Sequence, residues 1–404
     1  MKLLYSFLVP GGLLLLAGVV FLHWAAAPES LSVLVRVYPY AVFGAGFLLG
    51  WRFHRSRIVF ALLVLVLADR GLLQFAAGEA AAAGAGRVVF QVVAFLVPLN
   101  LVAFSWMRER ALLSRAGLWR LSLILVQVAA VAWLARLGQA DVAALLEHNF
   151  LAPGFFGWSA IGQPALAVFG AAFVLFMLRF LRQRGALESG FLWGLVAVLL
   201  ALTNGQGGVR STFYLATGGL ILVMAVIETS YRMAYRDELT GLGARRALNE
   251  ALAQVGSRYA IAMVDIDHFK KFNDQHGHDV GDQLLRMVGA KLAEVAGGAE
   301  AFRYGGEEFA VIFPDKSVEE AFPHLEELRK TVAATRFGVR GRDRPRKKPE
   351  KPRPSCGPRK QVSVTISLGV AERDDRHSEA EHVIQAADKA LYRAKKAGRN
   401  QVKA

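Results

Sequence analysis

The sequence predicts two kinds of structure in one chain. An N-terminal all-α polytopic membrane domain of about eight helices precedes a C-terminal α+β domain, in which helices flank an antiparallel sheet of ferredoxin-like type. Of 404 residues, 54% are hydrophobic and only 20% are charged, which is too apolar for a soluble or disordered protein. The apolar runs end near residue 228, and mixed strand and helix patterns follow. The single cysteine, Cys356, excludes a disulfide scaffold and a cysteine-rich zinc site.

The N-terminal half contains eight apolar runs that approach the length of about 20 residues needed to cross a bilayer core. They lie at about 3–22, 32–51, 58–77, 88–107, 119–137, 161–181, 190–205 and 211–228. The third is interrupted by Asp69 and Arg70, and the seventh is short. With the N-terminus placed inside, thirteen Lys and Arg residues lie on the inner side of the predicted membrane and four on the outer side. Because basic loops stay cytoplasmic, eight spans with both termini cytoplasmic are predicted.

The first apolar run has two interpretations. Met1, Lys2, an apolar stretch and the alanines at 25–27 resemble a signal peptide with its cleavage site. The stretch is longer than is usual for such a peptide, and Pro28 follows the alanines directly. We therefore favour an uncleaved first helix.

A few polar residues stand within the predicted spans, namely Asp69, Arg70, Asn100, Gln127 and Gln163. Such residues either mark a ligand or ion path or are packed polar groups and span ends. Asp69 and Arg70 are sequence neighbours, so we do not expect them to face each other on a helix. Packing is the favoured interpretation.

The segment after the last apolar run contains no Gly or Pro over residues 228–237. This favours one helix that continues from the membrane into the cytosol. We therefore expect residues 1–228 to form a multi-span sensor region and residues 229–240 to form a signalling helix or linker.

The C-terminal part alternates between strand and helix patterns. Strands are predicted at 259–265, 301–304, 309–313, 362–371 and 400–402. Helices are predicted at about 279–295, 317–335 and 378–397. Gly305 and Gly306 favour a tight hairpin turn between two of these strands, since glycine readily adopts positive φ.

Several residues of this part have the chemistry of a nucleotide site. Asp265 ends a strand and Glu307 stands on the hairpin tip, so the two would supply a Mg²⁺ site if their strands are neighbours. Lys270, Lys395 and Arg399 would face phosphates. Asn273 and Asp282 carry groups that match a guanine edge. Each of these features alone also has a plain structural reading, and the prediction rests on the set.

Four blocks resemble the GGDEF family of diguanylate cyclases over residues 232–404. They are Arg236-Asp-Glu-Leu-Thr-Gly-Leu242 followed by Arg245-Arg246, the run Asp265-Ile-Asp-His-Phe-Lys-Lys-Phe-Asn-Asp-Gln-His-Gly-His278 with Gly281-Asp282, the signature block Phe302-Arg-Tyr-Gly-Gly-Glu-Glu-Phe309, and the closing block 387–400. They occur in the family's order and at its spacing. The resemblance implies a catalytic domain at 241–404 with the palm-type sheet.

The resemblance also implies an activity, the joining of two GTP molecules into cyclic di-GMP with release of two pyrophosphates. Asp265, the Ile266 carbonyl and Glu307 would bind Mg²⁺, with Mn²⁺ as the alternative ion, and Glu307 with Glu308 would act in catalysis. The substrate-binding residues would be Phe269 through its backbone, Lys270, Asn273, His278, Asp282, Lys395 and Arg399. Because each protomer would hold one GTP, catalysis would need a homodimer. The implied location is the bacterial inner membrane.

The sequence departs from the family pattern at three places. The inhibitory product site, R-x-x-D, is replaced by Ala296-Gly-Gly-Ala299, so we expect no tight feedback inhibition by that route. Ala244 replaces the usual Asn of the first block, for which we expect a structural effect at most. A basic, Pro-rich insertion occupies about 338–361, and its residues 339–360 carry a net charge of +8. It is interpreted either as a solvated loop or as a contact with anionic lipid, and no nucleic acid is expected.

Two alternative functions remain at this stage. One is a GGDEF domain that binds nucleotide without turnover, and the intact set of site residues argues against it. The other is a transporter with a regulatory tail, and the scarcity of charges within the spans argues against that. An adenylyl cyclase is disfavoured because Asn273 and Asp282 suit guanine. The sequence identifies no input signal.

Overall fold

The structure, a computed structural model of the chain, describes residues 2–24, 29–76, 84–137, 144–152, 159–204, 208–338, 361–374, 377 and 379–404. The chain divides into two compact units, Met1–Ser230 and Tyr231–Ala404. Residues 25–28, where a cleavage site was considered, and the basic segment 339–360 lie outside the described residues.

The first unit is all-helical in its described part, as the apolar runs predict. Its helices are α1 (Lys2–Leu8), α2 (Gly11–Trp24), α3 (Glu29–Arg52), α4 (Ser56–Phe75), α5 (Gly84–Trp106), α6 (Arg115–Leu137), α7 (Gln163–Gln183), α8 (Ala186–Asn204) and α9 (Val209–Tyr235). Among the described residues six helices, α4 to α9, are long and apolar enough to cross a membrane, which indicates a membrane protein. The expected eight spans and their orientation stay predictions.

The first predicted span differs from the structure. Residues 3–22 were expected to form one helix, but α1 ends at Leu8 and α2 begins at Gly11. Pro10 stands at the break, because proline lacks the N–H that a helix interior needs and clashes with the preceding turn. Gly11 and Gly12 then pack against the Trp193 ring, where an added Cβ would come within 2.9 Å of ring atoms.

The polar residues of the spans have partners inside the protein. The expectation for Asp69 and Arg70 was wrong, since the long Arg70 side chain turns back and its Nε donates to Asp69 Oδ2 at 3.1 Å. Asn100 on α5 donates to Gln127 Oε1 on α6 at 2.9 Å. Gln163 accepts from the backbone N–H groups of Phe150 and Leu151 at 2.8 and 2.9 Å. These contacts agree with packed polar groups.

The second unit is built on a six-stranded sheet of order β1-β3-β4-β2-β7-β8. Its strands are β1 (Gly243–Ala244), β2 (Tyr259–Ile266), β3 (Glu300–Gly305), β4 (Glu308–Pro314), β7 (Ile366–Glu372) and β8 (Val402–Lys403). The four central strands pair antiparallel, as predicted, whereas the two-residue edge strands β1 and β8 pair parallel with their neighbours. A small separate sheet pairs β5 (Phe337–Gly338) with β6 (Gln361–Val362). The predicted strand 362–371 is therefore divided between two sheets.

The helices of the second unit cover both faces of the sheet. They are α10 (Arg245–Gln254), α11 (Phe269–His276), α12 (His278–Leu292), α13 (Val318–Ala334) and α14 (Ala380–Lys396). Val264, Phe309 and Leu368 belong to one core cluster with residues of α12 and α13, and Met263 and Ala310 belong to another with Leu391 of α14. Every residue of β2 is buried. Because successive side chains point to opposite faces of a strand, β2 is covered on both faces.

Helix α14 lies unusually close to the sheet at one glycine. A Cβ on Gly369 of β7 would lie 2.0 Å from Leu391 N and 2.2 Å from Ala387 O, both backbone atoms of α14. No side chain fits between them. The contact fixes the height of α14 above the sheet and so the place of Lys395 in its last turn.

Candidate active site

The centre of the candidate site is the end of β2 beside the β3–β4 hairpin. In the sheet register Asp265 lies opposite Glu308 of β4 on one side and opposite Ser367 of β7 on the other. Gly305 and Glu308 close the hairpin, so Glu307 stands in the turn next to Asp265. The neighbouring strands that the sequence prediction required are therefore present.

The carboxylates of this centre are crowded. Asp265 is buried, with 8% of its side chain exposed, and its Oδ2 lies 2.9 Å from Lys395 Nζ. Burial raises the pKa of Asp265, and the Lys395 ammonium acts in the opposite direction. Burial and the negative charge of Asp265 likewise raise the pKa of Glu307. Carboxylates placed together in this way are stabilised by a cation, which Lys395 supplies in part.

A second aspartate has a role that its motif did not reveal. Asp267 is buried and accepts three hydrogen bonds, from Thr365 Oγ1 and Ser367 Oγ at 2.7 Å each and from the backbone N–H of Asn400 at 3.1 Å. With these bonds made, Asp267 is a positioning residue rather than a free ligand. It fastens the segment after α14 to the end of β2.

That segment is held in an uncommon backbone conformation. Arg399 and Asn400 have φ of 64° and 47°, in the left-handed region. Asn400 Oδ1 also accepts from Arg329 Nη1 of α13 at 2.9 Å. Asp267 and Arg329 together therefore keep Arg399 at the edge of the site.

The turn between β2 and α11 forms a second part of the site. His268 has φ of 59° and precedes the first residue of α11, so the strand passes into the helix within two residues. The backbone N–H groups at the start of a helix carry partial positive charge and suit anions. Phe269 is buried in the core, whereas Lys270 is exposed beside it.

The amide of Asn273 has an acceptor oxygen that no group of the described chain satisfies. Among the described residues its Oδ1 is one of few buried side-chain polar atoms without a hydrogen-bond partner. A buried acceptor of this kind costs free energy unless something donates to it. A Cβ on Gly281 would lie 1.8 Å from this oxygen, so the amide occupies the space that this glycine leaves.

The other predicted residues lie at the surface of the same unit. Lys270, His278, Asp282 and Arg399 are exposed, and within the described part of the chain their side chains make no hydrogen bond. The structure thus brings Asp265, Ile266, Glu307, Glu308 and Lys395 together at one end of the central strands, and it places the remaining residues on the adjoining helices and loop.

An ion pair that the sequence reasoning missed holds the hairpin turn. Arg303 donates through Nη1 to both carboxylate oxygens of Asp237, at 3.0 and 2.9 Å. Its Nε and Nη2 donate to the Gly306 carbonyl at 3.1 and 2.7 Å. The turn that carries Glu307 is therefore tied to the segment after α9. Both residues stand in the quoted motif blocks, and that was the only signal for their role.

Comparison with known proteins agrees with this architecture. Residues 234–348 and 350–401 match the sequence model of the family described as "Diguanylate cyclase, GGDEF domain". The chain is similar to diguanylate cyclase DgcP of Pseudomonas aeruginosa, with 35% identity over 184 residues, 44% of this chain and 25% of that protein. It is 38% identical to diguanylate cyclase VdcA of Vibrio cholerae over 170 residues, 41% of this chain and 45% of that one.

One solved structure is also similar to the chain in sequence. The coiled coil and GGDEF domain of DgcB from Caulobacter crescentus, crystallised with c-di-GMP, is 35% identical, covers 44% of this chain and 88% of its own, and has a TM-score of 0.37. The chain spans from 25% to 45% of the length of the two cyclases named above. The matched blocks lie on the sheet and around the carboxylate centre described above. The C-terminal part of the chain belongs to the GGDEF family.

Proposed function

We propose that the protein is a diguanylate cyclase, which condenses two GTP molecules into cyclic di-GMP and releases two pyrophosphates. The observation that carries the proposal is the buried Asp265 beside the hairpin glutamates, with Lys395 2.9 Å from its carboxylate. This is an oxygen-rich, partly neutralised centre at the end of the central strands. Exposed cations, Lys270 and Arg399, stand on elements that flank it.

The guanine-binding group of this proposal is Asn273. Its unpartnered buried Oδ1 suits the N–H donors of a guanine edge. The Asp282 carboxylate, exposed on α12, is a second acceptor for such donors. His278 is proposed to contact the same nucleoside. An adenine offers a different pattern of donors, so this pair favours GTP over ATP.

The donor set also fits a divalent cation. Asp265 and Glu307 are carboxylates, and the Ile266 carbonyl adjoins them in sequence, so all proposed ligands are oxygen atoms. Mg²⁺ prefers such ligands and takes its remaining ones from phosphate and water, and Mn²⁺ is the alternative. A cation bound there would offset negative charge on the substrate phosphates.

The proposed chemistry is an in-line displacement at phosphorus. The 3′-oxygen of one GTP attacks the α-phosphorus of the other, the bond to the bridging oxygen breaks, and pyrophosphate leaves. Glu307, assisted by Glu308, takes the 3′-hydroxyl proton. Lys270, the N–H group of Phe269, Lys395 and Arg399 bind the phosphates. A second identical step closes the ring.

The proposal places two chains in each active assembly, since each site holds one GTP. Residues 1–228 would form the multi-span sensor region of an inner-membrane protein with both termini cytoplasmic. Residues 229–240 would connect it to the catalytic domain at 241–404. Residues 339–360, with their net charge of +8, are proposed to attract anionic lipid rather than nucleic acid.

Product inhibition is expected to be weak. The family's inhibitory motif is replaced at 296–299, where Gly297 and Gly298 have φ of 84° and 71°. Neither glycine has a side chain that could bind a product phosphate. The rate should therefore stay steady as product accumulates.

The test uses the full chain in nanodiscs with GTP and Mg²⁺, and it follows cyclic di-GMP by chromatography. Wild type should form product, and Glu307→Gln should lose at least a hundredfold in rate because a proposed metal ligand and base is removed. Glu319→Gln, which alters an exposed glutamate of α13, is the matched control and should keep the wild-type rate. No product from a folded, GTP-binding dimer, including one forced to dimerise, would instead indicate a nucleotide receptor without turnover.

A further inference from the structure

We propose that the first unit contains a binding site for a small lipophilic molecule that carries one uncharged carbonyl oxygen. The site is a cavity of about 220 Å³ between α4, α5 and α6. An apolar cavity of about 150 Å³ accepts a benzene ring. This cavity therefore has room for a substituted ring or a short alkyl chain. The proposal concerns a different unit from the nucleotide site and does not depend on cyclase activity.

The walls of the cavity are apolar. They are formed mainly by Val64, Leu67, Val93, Val97, Ile124 and Val131. Two further lining residues on α6, Val128 and Ala132, are exposed on the outside of the unit. The cavity is therefore accessible from the side of α6, which suits a ligand that arrives from an apolar phase.

The polar side chains that line the cavity are Arg70, Gln74, Asn100 and Gln127, and they supply several hydrogen-bond donors. The amide nitrogen of Asn100 donates to Gln127 Oε1 at 2.9 Å and to the Leu96 carbonyl at 3.0 Å. The amide nitrogen of Gln127, in the described part of the chain, has no acceptor of its own. Gln127 lines the cavity, so its two N–H groups are available there. Within an apolar phase an unpaired N–H group is costly, and a ligand acceptor would relieve that cost.

Arg70 stands at the same cavity and determines which acceptor fits. Its guanidinium donates to Asp69 and to Tyr40 Oη, and two of its five N–H groups are left. Because Asp69 is buried and balances its charge, the pair is neutral as a whole. A neutral pair favours an uncharged carbonyl over a carboxylate, whose desolvation would lack a compensating charge.

Helix packing alone does not account for these features. An Asn–Gln hydrogen bond between spans is a common way to hold two helices together. That role uses one carbonyl and one N–H group. It explains neither the space next to the pair nor the presence of Arg70 among the residues that line that space.

The test is photolabelling of the full chain in nanodiscs. The probe is an aliphatic ketone that carries a diazirine and an alkyne, and the labelled peptides are identified by mass spectrometry. Label should concentrate in α4, α5 and α6. We expect 2-octanone to compete about fivefold more strongly than octane, the difference that one neutral hydrogen bond makes, and more strongly than octanoate. Equal competition by octane, or stronger competition by octanoate, would overturn the assignment.

Two variants test whether the probe binds in this cavity and whether Gln127 recognises its carbonyl oxygen. Gly71→Leu should abolish the labelling, because Gly71 lines the cavity and a Cβ there meets only Val89, at 3.9 Å. Gly170→Leu on α7, where a Cβ meets nothing within 4 Å, is the matched control and should label like the wild type. Gln127→Met keeps the side-chain shape and should remove the preference for 2-octanone over octane. Wild-type labelling of Gly71→Leu, or an unchanged preference in Gln127→Met, would also contradict the proposal.

Discussion

Asp69 of the first unit and Asp265 of the second are both buried carboxylates paired with a cation, at 2% and 8% side-chain exposure. Asp69 takes its partner from the next residue in the chain, so its ion pair is local and complete. Asp265 takes Lys395, far away in sequence, and it also lies beside Glu307. The first pair is local and neutral as a whole, whereas the second belongs to a crowded centre that still favours positive charge.

Hydrogen bonding does not separate the two units in the same way. In the first unit Asn100 and Gln163 find their acceptors and donors within the helices and loops around them. In the second unit Asn273 keeps a buried oxygen unpartnered. Within the described residues, Ser211 Oγ and Thr212 Oγ1 of the first unit also lack a hydrogen-bond partner. What distinguishes the candidate active site is therefore its crowded carboxylates together with such an atom, and the following variants test that arrangement.

The largest effect is expected for Gly369→Ala. Its Cβ would lie 2.0 Å from a backbone atom of α14, so the helix has to move away from the sheet. We expect a loss of about 3 kcal/mol in the unfolding free energy of the second unit, together with most of the cyclase activity. Pulse proteolysis of the nanodisc-held chain in urea measures the unfolding free energy. Gly170→Ala in the first unit, with open space around it, should change stability by less than about 0.5 kcal/mol, and equal effects would contradict the packing account.

Gly281→Ala should weaken GTP binding. The new Cβ would lie 1.8 Å from Asn273 Oδ1 and would displace the amide from its place. We expect about a tenfold rise in the dissociation constant for GTP, near the effect of Asn273→Ala, with little loss of fold. Isothermal titration of both single variants and the double variant gives their coupling. Additive effects of the two substitutions would show that Gly281 does not act through Asn273.

Asp237→Asn should loosen the hairpin turn. Burial would raise the pKa of Asp237, but hydrogen bonds from Thr240 and the charge of Arg303 outweigh it and lower this pKa. We expect a loss of about 2 kcal/mol at pH 7 and a reduced rate, since Arg303 also holds Gly306. Glu238→Gln, at an exposed neighbour, is the matched control and should change neither the stability nor the rate.

The pH dependence of that variant has a definite sign. A lowered folded-state pKa means that Asp237 stabilises the fold fully above its unfolded pKa of about 4 and loses this contribution as the pH falls through the folded value. The stability gap between wild type and Asp237→Asn should therefore be constant from pH 7 to 5 and close below pH 4. A gap that persists unchanged at pH 2 would refute the ion-pair assignment.

The smallest effect is expected for Asn100→Leu in the first unit. The variant removes one hydrogen bond between α5 and α6, a contact worth about 0.6 kcal/mol in a membrane protein. Unfolding in mixed micelles with increasing dodecyl sulfate measures the loss of stability. Ser122→Ala, which loses a hydrogen bond within its own helix, is the reference. A loss of several kcal/mol would mean that this pair does more than join two helices.

The two units also differ in how far the sequence predicted them. The strand that carries Asp265 and the hairpin at 305–308 were predictable because a continuous apolar run and a pair of turn glycines are local signals. The bonds of Asp267 to Asn400 and of Asp237 to Arg303 were not, since they join residues 133 and 66 positions apart. In the first unit hydropathy predicted helices, but the Asp69–Arg70 contact and the cavity beside Gln127 depend on side-chain geometry that hydropathy does not contain.

The measurement that tests the central claim most directly is the isotopic make-up of the product. The nanodisc-held chain receives an equal mixture of unlabelled and ¹⁵N-labelled GTP with Mg²⁺, and the product is analysed by mass spectrometry. Condensation of two GTP molecules predicts cyclic di-GMP in which half of the molecules carry one labelled and one unlabelled guanine. Products with a single guanosine, such as GDP or cyclic GMP, without any mixed dinucleotide would contradict the account.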